Sequence, residues 1–148
     1  MATQTMVLMI SSDVSGPLGA VHLPRLWQKV LLSSKGMLPE DYDECGSGFD
    51  QMTLNGLGLD REETIGYIKT QTPTYPQFEQ WVKQHGKKLS AGDIQAHNAA
   101  IAGYNHGEGT VKSICETVGI PADGSITDAV TLNKLEDMAE FHSQLTRA

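Results

Sequence analysis

Apolar residues recur at helical spacing along most of the chain. In "HLPRLWQKVLLSSKGMLPEDYDEC", His22 to Cys45, the residues Leu23, Leu26, Trp27, Val30 and Leu31 fall at i, i+3, i+4, i+7 and i+8. That is one stripe of a 3.6-period helix. Pro24 suits the first turn, where a missing N–H costs nothing, and Gly36 suits a left-handed stop after Lys35. Phe49 to Leu57 reads as a short helix closed by Gly58. Asp60 and Glu63 form a capping-box-like start for a helix to about Gln71 that buries Ile65 and Ile68. Pro73 and Pro76 then interrupt the chain. Tyr75, Phe78 and Val82, with Trp81 beside them, make the next stripe, ending near Gly86. Ser90 and Asp93 start a helix to about Tyr104, and Val111, Ile114, Cys115 and Val118 form a stripe ended by Gly119. Ser125 and Asp128 start the last helix, with Leu132, Leu135, Met138, Phe141 and Leu145. The pattern predicts an all-α fold, a single compact bundle of six to seven helices. Residues 17–148 form that domain. Residues 1–16 read as a flexible N-terminal arm, although its "MVLMI" is the one stretch of the chain with the pattern of an edge strand.

Composition narrows the function. A chain of 148 residues fits one domain able to bury a core without metal or disulfide staples. The formal charge is −7, and Lys83, Lys87 and Lys88 are the densest basic group. Nucleic acid and anionic membrane surfaces are therefore not expected partners. Met6 to Ile10 is too short for a signal segment or a membrane span. Two cysteines, Cys45 and Cys115, do not make a disulfide framework. A cytoplasmic protein with reduced thiols is expected.

The acids of "LPEDYDEC" read as a solvated face, with Pro39 opening a helix whose first turn holds Glu40 and Asp41. They lack calcium-loop spacing, and Arg25 and Lys29 are placed to pair with them. Cys115 lies in an apolar stripe and should be buried. Cys45, ahead of Gly46 and Gly48, should be the more exposed thiol. "GSG" has neither the strand nor the Gly-Lys-Ser/Thr of a phosphate loop, and "NHGEG", Asn105 to Gly109, reads as a turn.

Two helices place polar side chains on apolar faces. Ile94, His97, Asn98 and Ile101 share one face, against Ala96, Ala99, Ala100 and Gly103 opposite, as in a central helix packed on both sides. His142 falls among Leu135, Met138, Ala139, Phe141 and Leu145. Buried polar groups need partners, either backbone groups at helix ends or one another around a pocket between helices. His22, Arg25, His97, Asn98 and His142 are the candidate ligand-binding residues. No catalytic group, metal-ligand set or cofactor is assigned.

"PLGAVHLPRLWQKV", "GMLPEDY", "GFDQMTLNGLGL", "FEQWVKQHG" and the His97-Asn98 stretch, in this order, resemble a family of bacterial proteins named for a domain of unknown function, DUF5069. The resemblance runs from about Pro17 to the C-terminus. Where the family carries Asp before the lysine of the first helix, this chain has Gln28. The resemblance implies a single helical, intracellular, bacterial domain and brings no activity.

Three functions fit, in this order. The first is small-molecule binding or sensing through a polar pocket between helices. The second is an interaction or homodimerisation module using an apolar helical face. The third is a metal-dependent enzyme built on histidines and carboxylates. No HExxH, paired CxxC, P-loop or nucleophile-elbow motif is present.

Overall fold

The computed structural model describes residues 4–147. Seven helices follow in order among them, with no strand: α1 Leu23–Ser34, α2 Phe49–Leu57, α3 Arg61–Gln71, α4 Tyr75–His85, α5 Ala91–Ala102, α6 Glu108–Val118 and α7 Ala129–Thr146. None is long and apolar enough to cross a membrane.

Local chemistry sets most of the boundaries. Asp60 accepts the Glu63 N–H ahead of α3, and Thr74–Gln77 and Ser90–Asp93 form full capping boxes ahead of α4 and α5. Gly58 closes α2 at φ 67°, where an added Cβ would lie 3.0 Å from both the Lys87 and Lys88 nitrogens. Those N–H groups donate to Gly58 and Leu57 carbonyls, so the α2 stop also pins the α4–α5 link.

The first core lies around α1. Leu23, Leu26 and Val30 meet Leu54 and Leu57 of α2, Ile68 of α3, and Phe78 and Val82 of α4, all buried. Each such side chain contributes about 1.5–3 kcal/mol of transfer free energy. α6 and α7 pack on each other over a smaller core of Val111, Ile114, Cys115 and Leu132. Phe49, Ile101 and Ala129 join the two. A single bridge between Asn105 and Asp128 ties the α5–α6 link to the start of α7.

Four expectations are corrected. The last helix starts at Ala129 because Asp128 is its cap, accepting the Thr131 N–H at 2.9 Å; Ser125 stands in a turn on Asp123. Pro39 opens no helix, since Tyr42 N–H closes a turn onto Pro39 C=O. α5 is not packed on both sides: α6 and α7 pack on each other, and Ala96, Ala99 and Ala100 face solvent. Cys45 is buried like Cys115, because Arg61 reaches across to its carbonyl oxygen and draws the segment onto α2 and α3. Burial, with the Asp50 charge second, pushes the Cys45 thiol up to about 11.

Candidate functional site

The segment before α1 is held by side chains distant in sequence. Leu18 N–H donates to both oxygens of buried Glu79 on α4, which also accepts from Tyr75 at 2.8 Å. On α5, Asn98 Oδ1 accepts the Val21 N–H at 3.0 Å, and its Nδ2 donates to Gly19 C=O at 2.8 Å. His97 Nε2 donates to Val21 C=O at 2.9 Å. α2 comes close enough to permit this: a Cβ on Gly56 would lie 3.0 Å from His97 Nδ1.

These anchors fix His22, the residue before α1, at φ 69°. A side chain in that left-handed region costs roughly 1–2 kcal/mol. The strain aims the imidazole into the interior. Its Nε2 donates to Asp50 Oδ1 at 2.7 Å, and its Nδ1 accepts from Ser12 Oγ at 3.0 Å. Asp50 Oδ2 accepts from Lys29 Nζ at 2.5 Å and from Gly46 N–H at 2.7 Å. Burial disfavours the charged form of both rings and carboxylates. For Asp50 the His22 hydrogen bond and the Lys29 charge outweigh it, and the carboxyl is held well below its usual range. For His22 burial wins, and its pKa is lowered. The stable arrangement is a neutral imidazole between a hydroxyl and an ionised carboxylate that is paired with a lysine. The order serine, histidine, aspartate matches a nucleophilic triad in distance, but Ser12 is 1 % exposed and is closed to substrate.

A second buried pair lies alongside. Arg25 grips Asp137 of α7 with two bonds of 2.7 and 3.1 Å and donates a third to Ile10 C=O. Tyr42 donates to the same carboxylate at 2.7 Å. Burial first, then this bond to Asp137, pushes the Tyr42 hydroxyl far up. Arg25 and Lys29 therefore serve Asp137 and Asp50. The pairing expected with the acids of residues 40–44 does not occur: Glu44 pairs with Lys69, and Glu40, Asp41 and Asp43 are exposed. Every buried side-chain polar atom among the described residues has a partner.

Above the two pairs opens a polar cleft of about 470 Å3 between α1, the 41–50 segment, and the α6 and α7 pair. His22, Arg25, Lys29 and Asp50 form its base. Phe49 and Tyr104, edge to face at 5.5 Å, line it with His106, which donates from Nε2 to Asn133 Oδ1 at 3.2 Å. Glu136 lines it from α7, half-buried. Desolvation, with the neighbouring Asp137 charge second, raises the pKa of Glu136. Among the described residues no three His, Cys, Asp or Glu groups are placed to hold a metal ion.

Of the five residues expected to bind ligand, His22 and Arg25 line the cleft. His97 and Asn98 do not; they act one step back, by holding the strand of chain that positions His22. His142 is exposed on α7 and does not line the cleft. Its helix turns Asp137 inward to meet Arg25, which swings the apolar stripe around His142 to the outside. The cleft residues Tyr42, Asp50, Tyr104, His106, Asn133 and Glu136 were not marked by the sequence. Only Asp50 carried a hint, as an acid in the first turn of a helix of mostly apolar pattern.

No curated protein matches the chain. A family model described as a domain of unknown function, DUF5069, matches residues 9–142. The match begins inside the N-terminal arm, ahead of Pro17, and so includes Ser12, whose hydroxyl meets His22. It spans both buried ion pairs and the whole cleft, and the chain belongs to the DUF5069 family.

Proposed function

We propose that the protein binds a small molecule in the cleft between α1, the 41–50 segment and the α6 and α7 pair. The observation that carries this reading is the construction of the cleft base. Two charged pairs lie buried beneath an opening of about 470 Å3, a size suited to a metabolite. Buried pairs of this kind are weak devices for stability, since apolar residues of equal volume often do as well. A rigid, polar, pre-organised floor is what they supply.

The charges indicate the ligand class. Arg25 and Lys29 are already neutralised by Asp137 and Asp50. The lining holds two cations against four carboxylates, and Asp41, Asp43 and Glu136 have no cationic partner among the described residues. A neutral or cationic ligand carrying hydroxyl or amino groups fits, with its apolar part against Phe49 and Tyr104. A phosphate-bearing one does not. A cytoplasmic setting belongs to the same proposal, supported by two buried, unpaired thiols.

Thermal-shift measurements test this with small alkylamines and polyols on one side and inorganic phosphate on the other. A ligand at a hundred times its Kd adds about 2.7 kcal/mol, or roughly 5–10 °C in Tm for a domain of this size. Stabilisation by amines or polyols that is lost in Glu136→Gln is expected. Stabilisation by phosphate alone contradicts the reading of the charges, and no stabilisation by any class contradicts the binding function.

A further inference from the structure

The last two turns of α7 expose Met138, Phe141 and Leu145 at 62, 57 and 72 %, on one stripe spaced i, i+3 and i+7. The arm runs beside them and exposes Met6 at 47 % and Met9 at 80 %. Two shallow troughs of about 400 and 560 Å3 lie between arm and helix, and both are lined by Val7, Met9 and Phe141. The patch is therefore continuous, with Phe141 at its centre. At these exposures the five side chains leave on the order of 600 Å2 of apolar surface open, the top of the range for one patch on a monomer and most of the ~800 Å2 each partner brings to a standard interface.

We propose that this face joins two copies of the chain in a two-fold dimer, with the C-terminal halves of the α7 helices packed across Phe141. The proposal goes beyond the cleft reading and does not depend on it. Charge selects a second copy over other occupants. Each chain carries −7, so two copies meet with least repulsion where a face is locally neutral. This face is neutral: its rim cations Lys134 and Arg147 are paired at 2.7 and 2.8 Å with Asp13 and Glu140. A lipid surface calls for unpaired basic residues around the apolar stripe, and a charged peptide for a rim of one sign. A two-fold contact uses one self-complementary patch twice, and the methionines Met6, Met9 and Met138 can adapt their side chains to a copy of themselves.

The wall of the patch nearest the cleft is Asp137, which lines one trough and grips Arg25 of the cleft base. Dimerisation would thus close over the outer side of a buried cleft pair.

The test is the mass of the full chain in solution, by sedimentation equilibrium or light scattering over a concentration series. The expected mass is about 32 kDa, twice the 16.1 kDa of the chain, falling to the monomer in Phe141→Glu and in Met138→Glu with an unchanged circular dichroism spectrum. Met9→Lys, in the arm rather than a helix, gives the same readout if a helix variant fails to fold. A wild-type chain that stays monomeric into the hundreds of micromolar overturns the proposal. So does a dimer that persists in the folded variants, because its interface then lies elsewhere.

Discussion

Replacing Asp50 by Asn changes one oxygen for one NH2 group at the centre of the cleft base. Asp50 is 2 % exposed and accepts from His22, Lys29 and Gly46. An amide accepts on one side only, so with its oxygen left on Lys29 and Gly46 its NH2 group turns to His22, which must switch tautomer and donate to Ser12 to keep a bond. The larger loss is electrostatic, because Lys29, 8 % exposed, keeps its charge with no counter-ion. Removing one partner of a buried pair typically costs about 3–5 kcal/mol, whereas the pair replaced as a whole costs far less. Asp50→Asn should therefore lower the unfolding free energy by about 3–5 kcal/mol, a large share of the roughly 5–15 kcal/mol of an ordinary domain. Urea unfolding followed by circular dichroism measures it, with the m-value as the check on two-state behaviour. Adding Lys29→Met removes the orphaned charge and should return part of the loss, a coupling of about 0.5–3 kcal/mol. A single-variant loss under about 1 kcal/mol would refute the reasoning: it would mean that water reaches the site and that the floor is not rigid.

Stability should fall as pH drops below 6.5. The folded pKa values of His22 and His97 are lowered from that value, so the unfolded chain takes up protons first, and each histidine adds a slope of up to about 1.4 kcal/mol per pH unit. Urea midpoints from pH 8 to 5 check this, and a flat profile contradicts the burial of both rings. Asp50 acts in the same direction at lower pH: its depressed carboxyl contributes stability above the unfolded carboxylate range that is lost as pH falls towards its folded value. Asn98→Ala should cost about 1–3 kcal/mol by leaving Val21 N–H and Gly19 C=O without their partner; unchanged stability would show that solvent replaces the amide. Both thiols should resist alkylation in the native protein, Cys45 through burial and a pKa of about 11 and Cys115 through burial alone. Timed labelling with mass spectrometry reads this, and rapid modification of Cys45 contradicts its burial.

Much of the helical layout was legible because its signals are local. Asp60, Ser90 with Asp93, Gly58 and Gly119 act within a turn of themselves, and each marks a boundary in the structure. The cleft was not legible, because its bonds join distant parts of the chain. Arg25 and Asp137 are 112 positions apart, and Tyr42 and Asp137 are 95 apart. Arg25 and Lys29 look on the sequence like exposed cations one turn apart, free to pair with the nearby acids. They are buried because α2 and α7 each bring an aspartate to them. The same long-range pairing explains the error on α7. Periodicity alone turns Met138 and Phe141 inward, but the bond to Arg25 turns Asp137 inward instead. His106, read as a turn residue, enters the cleft only because α6 and α7 pack together and bring Asn133 to it.

The cleft as a small-molecule site is the central claim, and an amide NMR titration tests it most directly. The probes are a small diamine and, separately, inorganic phosphate. The account predicts saturable shifts with the diamine, confined to the amides of residues 41–50, 104–110 and 133–137, and no saturable shifts with phosphate. Shifts gathered on the arm and the end of α7, or none with the diamine at millimolar concentration, would contradict it.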